Sequence, residues 1–213
     1  MVEATELEAH DLAALLCSRV CHDIISPVGA INNGLELLDE GGADEDAMSL
    51  IRQSARNASA RLQFARIAFG AAGSAGMQID TGDAEAVTAA FMRNEKPELI
   101  WQGERALLPK NQVKLLLNLV LVALAAIPRG GKIVVSLEDV HTQPRFTLAS
   151  SGPMLRVPPK FLELHSGRKP EEAIDAHAVQ PYYALLLAHE ANMTVSIHAS
   201  AEEVVLTAAG KQA

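Results

Sequence analysis

Two stretches near the start of the chain repeat apolar residues at alternating steps of four and three. Cys17, Cys21, Ile24, Val28, Ile31, Leu35 and Leu38 form the first series, and Met48, Ile51, Ala55, Ala58, Leu62, Ala65 and Phe69 form the second. That spacing is the a/d seam of helices packed side by side in a coiled coil or four-helix bundle. Gly41-Gly42 separates the two series. Asp44, Glu45 and Asp46 follow at once, where acidic side chains cap a new helix and complement its dipole. The pattern predicts a helical hairpin over about residues 8–73. Two helices with seams this long cannot cover each other completely, so two hairpins are expected to pair into a dimeric four-helix bundle.

The period changes after Gly70 to Gly76, a glycine-, alanine- and serine-rich segment with the composition of a linker. Beyond it, Met77–Asp80, Leu99–Gln102, Lys132–Leu137 and Arg145–Ala149 read as strands, the last two as neighbours. Thr194–Ile197 and Val204–Thr207 read as a closing hairpin. Helices are predicted over Ala84–Met92, Pro109–Ile127 and Pro181–Glu190, and Pro153 to Asp175 reads as a proline- and charge-rich connection. Val113–Ala126 is apolar almost all round and is therefore expected to lie buried against the sheet. The fold class expected is α+β: residues 1–74 form a dimeric bundle hairpin and residues 75–213 an α/β sandwich.

Composition narrows the function. The 213 residues carry 18 Lys and Arg against 26 Asp and Glu, a formal net charge of −8. This balance argues against general affinity for nucleic acid or for an anionic membrane, and leaves proteins as the expected partners. Glu3, Glu6, Glu8 and Asp11 make the N-terminus acidic, and Asn118 interrupts the longest apolar run, Leu115–Ile127. No targeting or membrane segment is expected, and the location expected is the cytoplasm. Cys17 and Cys21 lie four apart on one helix, which suits reduced thiols better than a disulfide framework. They belong to the apolar seam, and with His22 they lack a fourth ligand, so no metal site is expected.

The chemistry concentrates in Cys21-His22-Asp23-Ile24-Ile25-Ser26-Pro27. With Cys21, Ile24 and Val28 in the seam, His22 points to solvent, and Ser26 and Gly29 follow on the same side. Pro27 removes one helical hydrogen bond beside His22, which costs about 3 kcal/mol in an ordinary helix interior. A neutral imidazole is a good nucleophile near pH 7 and forms a phosphoramidate labile enough to pass its phosphoryl group on. Asp23 can fix the tautomer or accept a proton, and Ser26 can orient the incoming group. A solvated surface histidine is the competing reading, and the proline tilts against it.

His22-Asp23-x-x-Ser26-Pro27 within a helical hairpin resembles the H-box of the dimerisation and phosphotransfer domain of sensor histidine kinases. The second half resembles their ATP-binding domain in layout. Leu117-Asn118-Leu119, Ala123, Pro128, Gly130-Gly131 and the strand Lys132–Leu137 follow the N-box helix, its turn and the next strand. The nucleotide chemistry departs from that pattern. Val122 stands at the second N-box asparagine. Ser150 and Met154, in Ser150-Ser151-Gly152-Pro153-Met154, replace the adenine-binding aspartate and a glycine. Val179-Gln180-Pro181-Tyr182-Tyr183 lies where a glycine-rich lid would be. A helix N-terminus without glycines cannot bring backbone amides up to a triphosphate.

A kinase-like hairpin joined to such a domain resembles the ChpT-type dimeric histidine phosphotransferases of alphaproteobacterial cell-cycle phosphorelays. That resemblance implies that His22 takes a phosphoryl group from the receiver of a CckA-like hybrid kinase and passes it to CtrA-like and CpdR-like receivers. It also implies no ATP, with magnesium arriving in the receiver's acidic pocket. A receiver reaching His22 should lie along Ile25, Ser26, Gly29, Asn32 and Asn33, where small residues permit close approach. Arg168 and Lys169 form a basic pair that can meet the receiver's acidic rim, with a solvated loop as the competing reading. His141, His165, His177, His189 and His198 are scattered and receive no role. A divergent ATP-dependent kinase and a non-catalytic dimeric adaptor remain the alternatives.

Overall fold

A computed structural model describes residues 7–41, 44–70, 78–167 and 173–211. The two periodic series form helices α1 (Ala9–Asp39) and α2 (Asp44–Ala68), packed as an antiparallel pair joined through Gly41, whose φ of 72° a glycine adopts without strain. The two helices come close together at Gly34, where an added Cβ would run into the Ile51 side chain and press on the Ala47 carbonyl. The linker expected at Gly70 to Gly76 lies, apart from Gly70, outside the described residues, and so do the Asp44 side chain, Arg168 and Lys169.

The seam divides in a way the period did not resolve. Ile24, Ile31 and Leu38 are half-buried, and Pro27 and Gly34 are the buried residues of α1. Cys17, Cys21, Val28 and Leu35 are exposed, as are Ala55 and Leu62 on α2. An a/d repeat marks both a face turned to the hairpin partner and a face turned away from it, and one chain buries only the first. α1 is also long and apolar enough to cross a membrane by length and composition, with a mean hydropathy of 1.3 over 18 residues. The open apolar face accounts for that value as an amphipathic helix would.

The remaining elements are β1 (Gln78–Asp80), α3 (Thr81–Met92), β2 (Glu98–Gln102), β3 (Leu107–Pro109), α4 (Lys110–Ala126), β4 (Lys132–Glu138), β5 (Arg145–Ser151), α5 (Pro159–His165), α6 (Val179–Glu190), β6 (Met193–Ala199) and β7 (Val204–Gly210). β1 and β3 form a small antiparallel ribbon, and five strands form the main sheet in the order β2-β4-β5-β7-β6. Among the described strands of this sheet only the β2–β4 pairing is parallel, as expected of strands joined through a helical crossover. Ile133, Val135, Phe146, Leu148, Leu206 and Ala208 alternate onto one buried face, against which α4 and α6 pack. The architecture is therefore α+β, a helical hairpin followed by a two-layer α/β unit.

Three differences from expectation have local causes. α3 begins at Thr81 rather than near Ala84 because the Asp80 carboxylate accepts the Gly82 N–H and caps it. β3 pairs with β1 despite ending at Pro109, since its pairing needs only a short edge. α5 stands inside the expected proline- and charge-rich connection, started by Pro158-Pro159 and anchored by buried Phe161 and Leu164. The core is continuous: Phe64, Ile67 and Ala68 of α2 join the cluster that contains α4 and the sheet.

Candidate functional site

His22 stands midway along α1 with its side chain 71% exposed. Its Nδ1 lies 3.5 Å from Asp23 Oδ1, at the outer limit of hydrogen-bond distance. Asp23 is held on its other oxygen, where Arg19 Nε donates at 3.0 Å from one turn earlier. Arg19, Asp23 and His22 thus form a short polar chain along α1. The helix continues through buried Pro27, which cannot donate to the Asp23 carbonyl.

Ile25, Ser26, Asn32 and Asn33 are exposed and Gly29 is half-exposed, so each expected docking position of α1 is accessible. A Cβ at Gly29 would meet nothing within 4 Å. Ile25 is 70% exposed. The strip running from His22 to Asn33 is therefore apolar, small and amide-bearing, with the imidazole at one end.

The α/β unit reaches the same place. The His177 ring lies 5.8 Å from the His22 ring, centroid to centroid, at an interplanar angle of 76°. His177 sits just before α6 in a turn organised by Asp175, whose carboxylate accepts the N–H groups of Ala178 at 2.8 Å and His177 at 2.9 Å. The Ala178 bond above all, with the His177 bond, holds the Asp175 carboxyl below its ordinary pKa. Beside the two rings opens a cleft of about 480 Å³ whose polar lining includes Arg19, Asp23, Arg61, Glu95, Lys160 and His177. Arg61 is committed within it, donating to Glu95 at 2.6 Å and to Asn57 at 3.0 Å and covering the Phe91 ring.

The positions that resemble nucleotide boxes are occupied by internal structure. Asn118 is fully buried; its amide donates to the Ala68 carbonyl at 3.0 Å and the Lys114 carbonyl at 2.9 Å. Gln180 donates to the Asn118 carbonyl and to its Oδ1. Val122 is buried on the same helix, and Ser150 Oγ donates to the Ala123 carbonyl. Gly131, at φ 136°, and Gly152 let their two loops press together: a Cβ on either would collide with the other's backbone. These glycines serve close packing here.

The structure places His22, Asp23, Ser26 and the expected docking positions on one exposed stretch of α1, and brings two residues beside them that the sequence reading did not single out, Arg19 and His177. Arg19 carried a readable signal, its i,i+4 spacing to Asp23. His177 carried none, because its closeness to His22 arises only from the packing of α6 near α1.

Comparison with known proteins follows the same outline. Residues 81–203 match the family model described as histidine phosphotransferase C-terminal domain. The chain is 72% identical over 202 residues to protein phosphotransferase ChpT of Brucella abortus (strain 2308), covering 95% of this chain and 97% of that protein. It also superposes with a TM-score of 0.91 on a 1.7 Å structure of a bacterial phosphotransferase, at 70% identity, over 95% of this chain and 98% of that one.

Proposed function

The chain belongs to the ChpT-type histidine phosphotransferases, and from that premise we propose that His22 is its phosphoacceptor in a His-Asp phosphorelay. The observation that carries this reading is the exposed imidazole with Asp23 beside Nδ1. With the proton on Nδ1 beside Asp23, the Nε2 lone pair is the nucleophile. When a receiver's aspartyl phosphate docks, the P–O bond to the aspartate breaks as a P–N bond to Nε2 forms. The receiver carboxylate leaves with the bond's electron pair, and the positive charge gained by the ring is balanced by Asp23, itself steadied by Arg19. Return transfer to a second receiver reverses the same steps, and neither direction consumes water. Ser26, one turn on, donates to the phosphoryl oxygens in passage.

The donor in this reading is the receiver of a CckA-like hybrid kinase, and the acceptors are CtrA-like and CpdR-like receivers. Each brings its own magnesium in its acidic pocket. Ile25, Gly29, Asn32 and Asn33 form the docking strip, with Arg168 and Lys169 as a basic contribution from the α/β unit. No ATP-dependent step is included, since Asn118, Val122 and Ser150 are committed to the interior. Residues 1–74 are the transferring unit and 75–213 its supporting unit. The protein works in the cytoplasm as a homodimer, in which the open apolar face of Cys21, Val28, Leu35 and Leu62 is covered by a second hairpin.

The test follows label onto the purified dimer, wild type and His22→Ala, from labelled ATP alone or from a phosphorylated hybrid kinase with its receiver. Label from the kinase and receiver only, absent in His22→Ala, is the expected result. Label from ATP alone would replace this reading with an ATP-dependent kinase, and label retained by His22→Ala would remove His22 from the role.

A further inference from the structure

The His22 side chain is mostly solvent-exposed, and its contact with Asp23 is too long to fix the ring by itself. Attack on an aspartyl phosphate requires a particular ring orientation, because Nε2 must point at phosphorus opposite the departing oxygen. A freely turning imidazole meets that condition only part of the time. The one aromatic neighbour of His22 among the described residues is His177, at 5.8 Å and 76°, an edge-to-face arrangement.

His177 is well placed to act as a fixed surface. Its own N–H and that of Ala178 both donate to Asp175 Oδ1, and the Val179 N–H donates to the Asp175 carbonyl to open α6. Ala178, Val179 and Gln180 are buried, and Gln180 is tied to Asn118 in the core. The backbone beneath the exposed His177 ring is therefore anchored to buried α4.

We propose that His177 is a positioning residue for transfer at His22: its ring packs against the His22 imidazole and holds Nε2 in the orientation an incoming aspartyl phosphate needs. The proposal rests on His22 being the phosphoacceptor. It gives the α/β unit a part in the transfer step that does not involve a nucleotide. His177 forms no bond to the phosphoryl group and moves no proton.

The experiment compares wild type, His177→Ala, His177→Phe and His177→Gln as full-length dimers. Single-turnover transfer from a phosphorylated receiver is read together with the ring nitrogen and carbon NMR signals of His22 in the free protein. His177→Ala is expected to slow transfer about tenfold through lost orientation, with receiver affinity and melting temperature unchanged and the His22 ring signals displaced. His177→Phe, which keeps a flat ring, is expected to restore most of the rate and the His22 signals. Wild-type transfer and unshifted signals in His177→Ala overturn the proposal. So does rescue by Gln but not Phe, which would assign His177 a hydrogen bond. The His22 signals report on the contact whether or not His22 carries phosphate, so failure here is separate from label retained by His22→Ala.

Discussion

α1 spans 31 residues and buries two of them, Pro27 and Gly34, whereas α4 buries ten of its 17. Both helices carry a polar residue in a long apolar stretch, and the two are used in opposite ways. His22 of α1 faces solvent, with Asp23 and the His177 ring beside it. Asn118 of α4 has its amide and carbonyls engaged inside the core. The group proposed to meet another protein is left under-packed. A group that resembles a cofactor ligand has become a tie between α2, α4 and α6. The lesson is that a motif residue's role is read from what satisfies it.

The sharpest way to break this contrast is to charge the open face of the hairpin. Val28→Asp with Leu35→Asp places carboxylates on the face proposed to meet a second copy. An uncompensated buried charge costs about 3–5 kcal/mol, enough to weaken the dimer roughly 100-fold or more. Sedimentation velocity should show a folded monomer. A dimer of wild-type affinity would mean that this face is exposed in solution.

Gly29→Arg probes the docking strip without disturbing the fold, since a side chain there starts in open space. Transfer from a receiver is expected to fall about 100-fold because a 1 Å misplacement of reacting groups already has that cost. Light scattering should show the dimer intact. Normal transfer by that dimer would move the receiver to another face.

Asn118→Ala tests the other side of the contrast. It strips the buried Ala68 carbonyl of its donor and leaves Gln180 with one acceptor fewer. Each unsatisfied buried group costs about 1–3 kcal/mol, so the urea midpoint should fall by the equivalent of about 3 kcal/mol. The variant that remains folded should still transfer. Unchanged stability with lost transfer would return Asn118 to a chemical role.

Much of this organisation is written locally. The periods of α1, α2 and α4, the neighbouring strands β4 and β5, and the β6–β7 hairpin follow from spacing of apolar residues and from turn glycines. The H-box segment is equally local, which is why His22, Asp23 and Ser26 could be read together. α5 could not be read, because its seven residues offer only Phe161 and Leu164 as a period and Pro158-Pro159 looks like a break. The division of the seam between inward Ile24 and outward Val28 was hidden because both fit one heptad. His177 was hidden for a different reason: the tertiary packing of two distant helices brings it to His22, and no local pattern records that.

The smallest effect concerns the turn that carries His177. Asp175 has its pKa lowered from the ordinary 3.8, first by the Ala178 N–H bond. A carboxylate with a depressed folded pKa contributes stability that is fully present above its unfolded pKa and is lost as pH falls through the folded value. The turn should therefore hold at neutral pH and loosen below about pH 4. Asparagine caps nearly as well as aspartate, so Asp175→Asn should cost only about 0.5 kcal/mol at pH 7 while removing this group's share of the acid-side loss. Stability measured by urea from pH 3 to pH 7 should then converge between variant and wild type as the pH falls. If the curves instead stay parallel, the Asp175 charge does not hold the turn, and the anchoring of His177 rests on Gln180 and the buried start of α6.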